Sequence, residues 1–283
     1  MLLLVLLLQV AQPAPVASPP PPPPLHGGPQ QMTCPVGGEL FPAWQASMYS
    51  TYGERPDGKP YSYLPFPFPV PECPGNKLIA FDEFSESEKA ALANIIVTIE
   101  YKRLIETDTT YYRAYWLANK LGRPKSQALG LLLSAIWQVS PGKMSEAATD
   151  KNRAQLARYQ STFVSEVRHL SPSVDAKDRI WLEARAANAA RQMMHFDEAE
   201  RLRKQAVKSL AGVTEKRGWD TYLATLHDVI SRNDASVEPL DMIPEQQVAF
   251  ACIRQQPSNT FDRAACAKPT VAARIAELRK SRP

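Results

Sequence analysis

The sequence predicts a mainly α-helical protein of antiparallel, tetratricopeptide-like hairpins, carrying a small disulfide-tied N-terminal head of irregular and short β structure. Three observations lead there. Proline and glycine crowd the beginning of the chain, with 18 of the 26 Pro and 7 of the 12 Gly within residues 1–75. From residue 85 onward apolar residues recur at helical spacing between caps and breakers. Four cysteines fall as two pairs of sequence neighbours, Cys34 with Cys73 and Cys252 with Cys266. The chain has 283 residues with 33 Lys+Arg against 29 Asp+Glu, a net charge of +4. That excess is too small to indicate nucleic acid as a partner.

Residues 1–18 read as a signal peptide. Leu2 to Val10 is apolar apart from Gln9, which suits the hydrophobic region of an export signal and is too short to span a bilayer. No other stretch reaches about 18 consecutive apolar residues, so no transmembrane segment is predicted in the mature chain. Residues 19–31 read as a proline-rich spacer. The run Pro19 to Pro24 is extended polyproline II, because each ring fixes φ and removes an N–H donor. Such a run is either a stiff spacer or a ligand for an aromatic-lined groove. The absence of a charged anchor beside it favours the spacer.

Residues 32–84 form the head. An even number of cysteines behind an export signal reads as disulfides. Three connectivities are possible, and pairing of sequence neighbours is the simplest. In the chain-entropy picture it contributes about 4 kcal/mol for Cys34–Cys73 and about 3 kcal/mol for Cys252–Cys266. Both head cysteines begin similar turns, Cys34-Pro35-Val36-Gly37-Gly38 and Cys73-Pro74-Gly75-Asn76. A zinc-binding knuckle of the type C-P-x-C-G has two thiolates. Here Gly37 and Asn76 stand where the second thiolates would be, so no metal site is predicted. His26 could be a third ligand, but it lies in the spacer. The run Cys34 to Phe41, the stretch Gly53, Arg55, Asp57-Gly58, the approach to Cys73-Pro74 and the helix opening at Phe84-Ser85 together resemble a bacterial family in which degenerate zinc-ribbon knuckles precede a tetratricopeptide-like body. The resemblance covers about residues 32–140. It implies an architecture and carries no activity.

The head is also rich in aromatics. Trp44, Tyr49, Tyr52 and Tyr61, with Arg55 among them, are candidate binding residues for a sugar or a proline-rich peptide. Their alternative role is a small aromatic core that docks the head on the body. Asp57-Gly58 is a turn signal with room for short flanking strands.

Residues 85–233 form the helical body. Ser85 to Glu88 is a capping box, and Leu92, Ile95, Ile96 and Ile99 are expected to be the buried stripe of the first helix. Further helices are expected over about 108–122, 125–139, 145–170, 175–194, 197–211 and 214–232. The clearest hairpin is 177–211. Leu182, Ala186, Ala189 and Met193 face Ala199, Leu202, Ala206 and Leu210 across a turn at His195 to Glu200 that resembles the interhelix turn of a tetratricopeptide repeat. Tyr112, Tyr115 and Trp116 share a helical face. They are either a ligand groove or core packing, and the second is favoured. Residues 234–283 read as a cap of short helices, with Pro244 and Pro269 at helix starts and the Cys252–Cys266 pair tying two of them.

No nucleotide-binding, metalloprotease or serine-hydrolase motif occurs, and no catalytic residue or cofactor is assigned. The four histidines sit at expected helix ends, at a turn or in the spacer. Glu198, Glu200, Arg201 and Arg203 read as a solvated face. The function expected is that of an exported, non-enzymatic scaffold, periplasmic or secreted, that meets a protein or peptide of the envelope. Two alternatives stand beside it: a binding module for glycan or peptidoglycan fragments using the head aromatics, and a helical hydrolase with a carboxylate site that no motif reveals.

Overall fold

The structure, a computed structural model, describes residues 26–141, 149–254, 257 and 259–280. The expected signal peptide and the Pro19 to Pro24 run lie outside the described residues. Strand β1 (Gly27–Thr33) pairs antiparallel with β2 (Leu40–Ala46), Gly27 opposite Ala46 and Thr33 opposite Leu40. Residues 27–31 therefore belong to the sheet and not to the spacer. Strands β3 (Thr51–Glu54) and β4 (Pro60–Ser62) flank the Asp57-Gly58 turn as expected.

The two cysteine turns share one hydrogen-bond pattern. The Cys34 N–H donates to the Glu39 carbonyl and the Gly38 N–H to the Cys34 carbonyl, at 2.8 and 3.2 Å. The Cys73 N–H donates to Leu78 and the Lys77 N–H to Cys73, at 2.9 and 3.0 Å. Cys34 and Cys73 are joined in a disulfide and buried. Asn76 bridges the two turns, its Nδ2 donating to the Val36 carbonyl at 2.7 Å.

Eleven α-helices follow among the described residues. Helix α1 (Glu86–Ile95) opens on the expected capping box, with the Ser85 hydroxyl accepting from the Glu88 N–H and the Glu88 carboxylate accepting from the Ser85 N–H. The single first helix expected through Ile99 is instead two. The β-branched run 95–98 breaks it, and Thr98 caps α2 (Ile99–Thr107) by accepting from the Tyr101 N–H. Leu92 and Ile96 are buried, whereas Ile99 is 87% exposed and leaves the predicted stripe.

Helices α3 (Thr110–Lys120), α4 (Lys125–Val139), α5 (Asp150–Arg168), α6 (Ala176–Gln192), α7 (Phe196–Ala211) and α8 (Trp219–Ser231) pack each against the next, joined by short turns or by the segment 140–149. The α6–α7 hairpin buries the predicted alanine and leucine stripes. Helix α5 starts at its Thr149 cap, and residues 145–148 of the helix expected there lie outside the described residues. Helix α8 starts five residues later than expected, because Arg217 and Gly218 adopt left-handed backbone at φ +48° and +80°. The tail carries a 3-10 turn (Leu240–Met242) and helices α9 (Glu245–Arg254), α10 (Thr260–Ala267) and α11 (Pro269–Lys280). The Cys252–Cys266 disulfide ties α9 to α10.

The interior divides into three apolar clusters. One runs through α3 to α8. The second joins the head to the first helices, so that Cys34, Phe41, Cys73, Leu78 and Ile79 share a core with Leu92, Ile96, Tyr101, Ala114 and Leu117. The third lies in the tail around Leu240, Val248, Ala249 and Val271. Among alternate helices, α6 touches both α4 and α8, and the three form an inner layer of the stack.

Candidate functional site

The most organised polar cluster lies where the head meets that inner layer. The β3–β4 connection, Glu54 to Lys59, runs across α4, α6 and α8. Arg55 and Asp57 clasp each other two residues apart, with Nε to Oδ1 at 3.2 Å and Nη2 to Oδ2 at 2.5 Å, and both side chains are under 5% exposed. Arg55 also donates to the Ser140 hydroxyl at 2.7 Å, just beyond α4. From α6, Arg185 donates to the Pro56 carbonyl and to Glu54, both at 2.6 Å. From α8, the Tyr222 hydroxyl donates to the same Pro56 carbonyl at 2.7 Å. The Trp137 indole N–H donates to the Asp57 carbonyl at 3.0 Å, and the Lys59 ammonium returns a bond to the Trp137 carbonyl at 2.9 Å.

Sequence and packing explain why the loop sits there. Gly58 turns at φ +84°, and a Cβ on it would come within 2.9 Å of the Arg185 guanidinium, so only glycine lets the loop approach α6. Arg185 in turn lies over the rings of Trp219 and Tyr222, 5.2 and 5.0 Å from their centroids. Below it Arg191 donates to the Asn188 side chain and to the Asp234 carbonyl. Burial, aided by the Arg55 charge, brings the Lys59 ammonium down to about 8. Burial and the neighbouring Glu238 carboxylate raise the Tyr61 phenol.

The network consists of cations bonded to carbonyls, carboxylates and a hydroxyl of the chain itself, with Arg185 Nε and Asn188 Nδ2 left buried without a hydrogen-bond partner. Its chemistry is that of a latch: the inner face of the helical stack is covered by a segment of the same chain.

The structure separates the residues predicted for binding. Arg55 is buried in the latch. Tyr61 donates to Glu238 at 2.9 Å and packs on the tail cluster. Tyr112 stacks on Tyr159 of α5 at 4.5 Å, and Tyr115 is core and reaches Glu166 at 3.3 Å. Trp116 turns the other way, toward Tyr101 of α2 at 5.9 Å. The groove considered for these three is therefore filled by packing. Arg185, Trp137, Ser140, Tyr222 and Glu238 escaped the sequence reading. The available signal was the spacing of Arg185, Asn188 and Arg191, polar residues three apart in a helix otherwise rich in alanine.

Of the remaining predicted residues, Trp44 and Tyr49 come together. Trp44 on β2 leans on Phe68 at 5.5 Å, and Tyr49 meets Phe66 and Phe68 edge-on at 5.6 and 4.9 Å. Phe66 and Phe68 lie 4.4 Å apart. Beside them His26, Ser47, Met48, Tyr49, Ser50 and Tyr63 line an open cleft of about 560 Å³, in which the Tyr63 hydroxyl and His26 Nδ1 are 3.1 Å apart. Tyr52 is exposed on β3. Tyr49 and Tyr63 are 46 and 50% exposed, so this head face is aromatic and open to solvent.

Among known proteins, no family model, no curated protein and no solved structure matches the chain. Among the described residues, no helix is long and apolar enough to cross a membrane, and no group of three or more His, Cys, Asp or Glu is placed to hold a metal ion. All four cysteines are in disulfides.

Proposed function

We propose that this is an exported, non-enzymatic interaction protein of the bacterial envelope, which meets its partner protein or peptide through the aromatic face of the head and uses the helical body as a platform. One observation carries the reading. The inner face, where stacks of helical hairpins commonly take ligands, is covered by Glu54 to Lys59, while Tyr49 and Tyr63 stand about half exposed on the head beside the partly buried rings of Phe66 and Phe68. Export is supported by the apolar start and by two disulfides, which persist in oxidising compartments.

A photo-crosslinking amino acid at position 49, compared with one at the exposed Lys204 on α7, tests the surface. The expected result is a discrete envelope-protein adduct from position 49 only, in protein whose mass shows residues through at least Ala11 removed. Adducts from position 204 alone, or an intact Met1 in the envelope fraction, would count against it. The exposed tyrosine rings favour a second reading, stacking on cell-wall sugars. Calorimetry with peptidoglycan fragments, against the Tyr49→Ala variant, discriminates the two.

A further inference from the structure

We infer that the open end of the helical stack, the face formed by α7 and α8, is where a second copy of this chain packs across a two-fold axis. This goes beyond the reading of the head and does not depend on it.

The order of the helices leaves this end uncovered. Helices α4, α6 and α8 form the inner layer, and each outer helix lies against two of them, α5 on α4 and α6, α7 on α6 and α8. One more outer helix after α8 would cover the α7–α8 pair on the side away from α6. The chain does not supply it. Beyond Ser231 it runs into the 3-10 turn at Leu240–Met242, and α9, α10 and α11 pack on one another around Val248 and Val271, with Tyr61 of the head. A stack of helical hairpins needs a polar outer face at its end or a partner to cover it.

This end is not wholly polar. A slot of about 280 Å³ lies between α7 and α8, walled by Val207, Leu210, Leu223 and Ala224 among others. Leu210 and Leu223 are buried, and Val207 stands 43% exposed on a helix whose other large exposed side chains are charged or amide. His227 of α8 reaches Glu200 of α7 at 3.3 Å, so the helices run antiparallel, with Arg203 at one end of the slot and Lys216 and Asp220 at the other.

Charge selects the occupant. Arg203 is already held by Glu200 through two bonds of 2.7 Å. Lys216 and Asp220 are not matched in this way. Among the described residues no carboxylate lies within 4 Å of the Lys216 ammonium and no cation within 4 Å of the Asp220 carboxylate, which accepts from the Thr221 N–H at 3.0 Å. A partner of one charge sign would satisfy one of the two and be repelled by the other. A second copy satisfies both, because a two-fold axis repeats every contact of residue i with residue j as a contact of j with i. With the axis along the slot, α7 of one copy lies over α8 of the other and like ends meet. Lys216 then faces the second copy's Asp220 twice, and Val207 faces the second copy's Leu223 and Ala224. Helices of 16 and 13 residues are about 24 and 20 Å long, which makes this a small interface and the dimer a reversible one with a dissociation constant on the order of micromolar.

Sedimentation equilibrium of the full chain over about 1–300 μM, the range that a small interface calls for, tests the inference. The average mass should rise from one chain toward two. Lys216→Glu and Asp220→Lys should each weaken association at least about tenfold, since each sets two like-charged pairs across the axis. Mixed in equal amounts, the two variants should associate again to within about threefold of the unmodified protein, because every pair across the axis is then of opposite sign. Recovery on mixing cannot come from damaged chains, and the thermal midpoint of the helical circular dichroism signal serves as the folding control. A chain that stays monomeric throughout, a dimer that neither variant weakens, or variants that do not recover on mixing would overturn the inference. The head reading fails separately, because its test is an adduct with another envelope protein at position 49, whereas capture across this face has the mass of two identical chains.

Discussion

Arg55 and Asp57 are charges taken almost wholly out of water, and each depends on the other. The pair is buried together with Ser140 and has Glu238 at 3.9 Å from Arg55 Nε. Removing one partner of such a pair costs about 3–5 kcal/mol where the other charge is left uncompensated, and Glu238 beside Arg55 holds the loss toward the lower end of that range. Asp57→Asn keeps the shape and the acceptor for the Lys59 N–H, so its loss isolates the charge. Urea unfolding of Asp57→Asn should show a stability loss of about that size, and a loss below about 1 kcal/mol would mean the pair is solvated. Lys59 supplies a pH signature at the same site. Its ammonium sits at about 8 in the folded protein against an ordinary 10.5. Between those values the unfolded chain holds more protons at this position, so folding stability rises with pH there. Relative to Lys59→Met, the unmodified protein should gain stability between pH 8 and pH 10.5 and show no change in that difference between pH 6 and pH 7.5. Denaturation midpoints over that range provide the measurement.

At the scale of elements, the β3–β4 connection is short because its job is to reach α6 rather than to build a sheet. Two glycines with similar backbone separate conformational strain from docking. Gly58 at φ +84° faces the Arg185 guanidinium, whereas Gly122 at φ +67°, just after α3, has nothing within 4 Å of an added Cβ. Gly122→Ala should lose about 1 kcal/mol from backbone strain alone. Gly58→Ala adds overpacking against a buried cation and should lose about 1–3 kcal/mol more. Limited proteolysis should cut the 54–59 segment in Gly58→Ala and spare it in Gly122→Ala. Equal behaviour of the two variants would show that the loop is not pressed against α6.

For the whole molecule, the apolar clusters matter more than the boundary between head and body. The second cluster runs from the Cys34–Cys73 disulfide into α1, α2 and α3, while the first runs through α3 to α8, so that α3 borders both. Breaking that disulfide removes about 4 kcal/mol of loop constraint in the chain-entropy picture. Hydrogen exchange of Cys34→Ser should therefore show faster exchange across 32–80 and on into α1–α3, with α5–α7 protected as before. Exchange raised only in the head would mean that the shared core does not couple the two parts. The second disulfide closes a separation of 14 residues within the tail, and its loss should stay local to α9 and α10.

What neighbouring residues can specify was legible in the chain by itself: the capping box at Ser85, most of the helix stops, the α6–α7 hairpin, the Asp57-Gly58 turn, the paired Cys-Pro turns and the presence of disulfides, whereas their connectivity stayed open among three until the fold paired Cys34 with Cys73 and Cys252 with Cys266. Each depends on contacts a few residues apart or on a count of cysteines. The break of the first helix at 95–98 was missed because apolar spacing continues through Ile99 while the backbone does not, and Thr98 reads as a cap only once the turn is formed. The aromatic face was half legible. Composition named Trp44 and Tyr49, and the tertiary structure brought them together on Phe68 and sent Tyr61 and Arg55 inward. The latch was beyond reach of the sequence. Arg55 meets Ser140 across 85 residues and Arg185 meets Pro56 across 129. A charged residue looks like solvated surface until the chain brings a carboxylate and a carbonyl to it, and only the folded arrangement of α4, α6 and α8 does so.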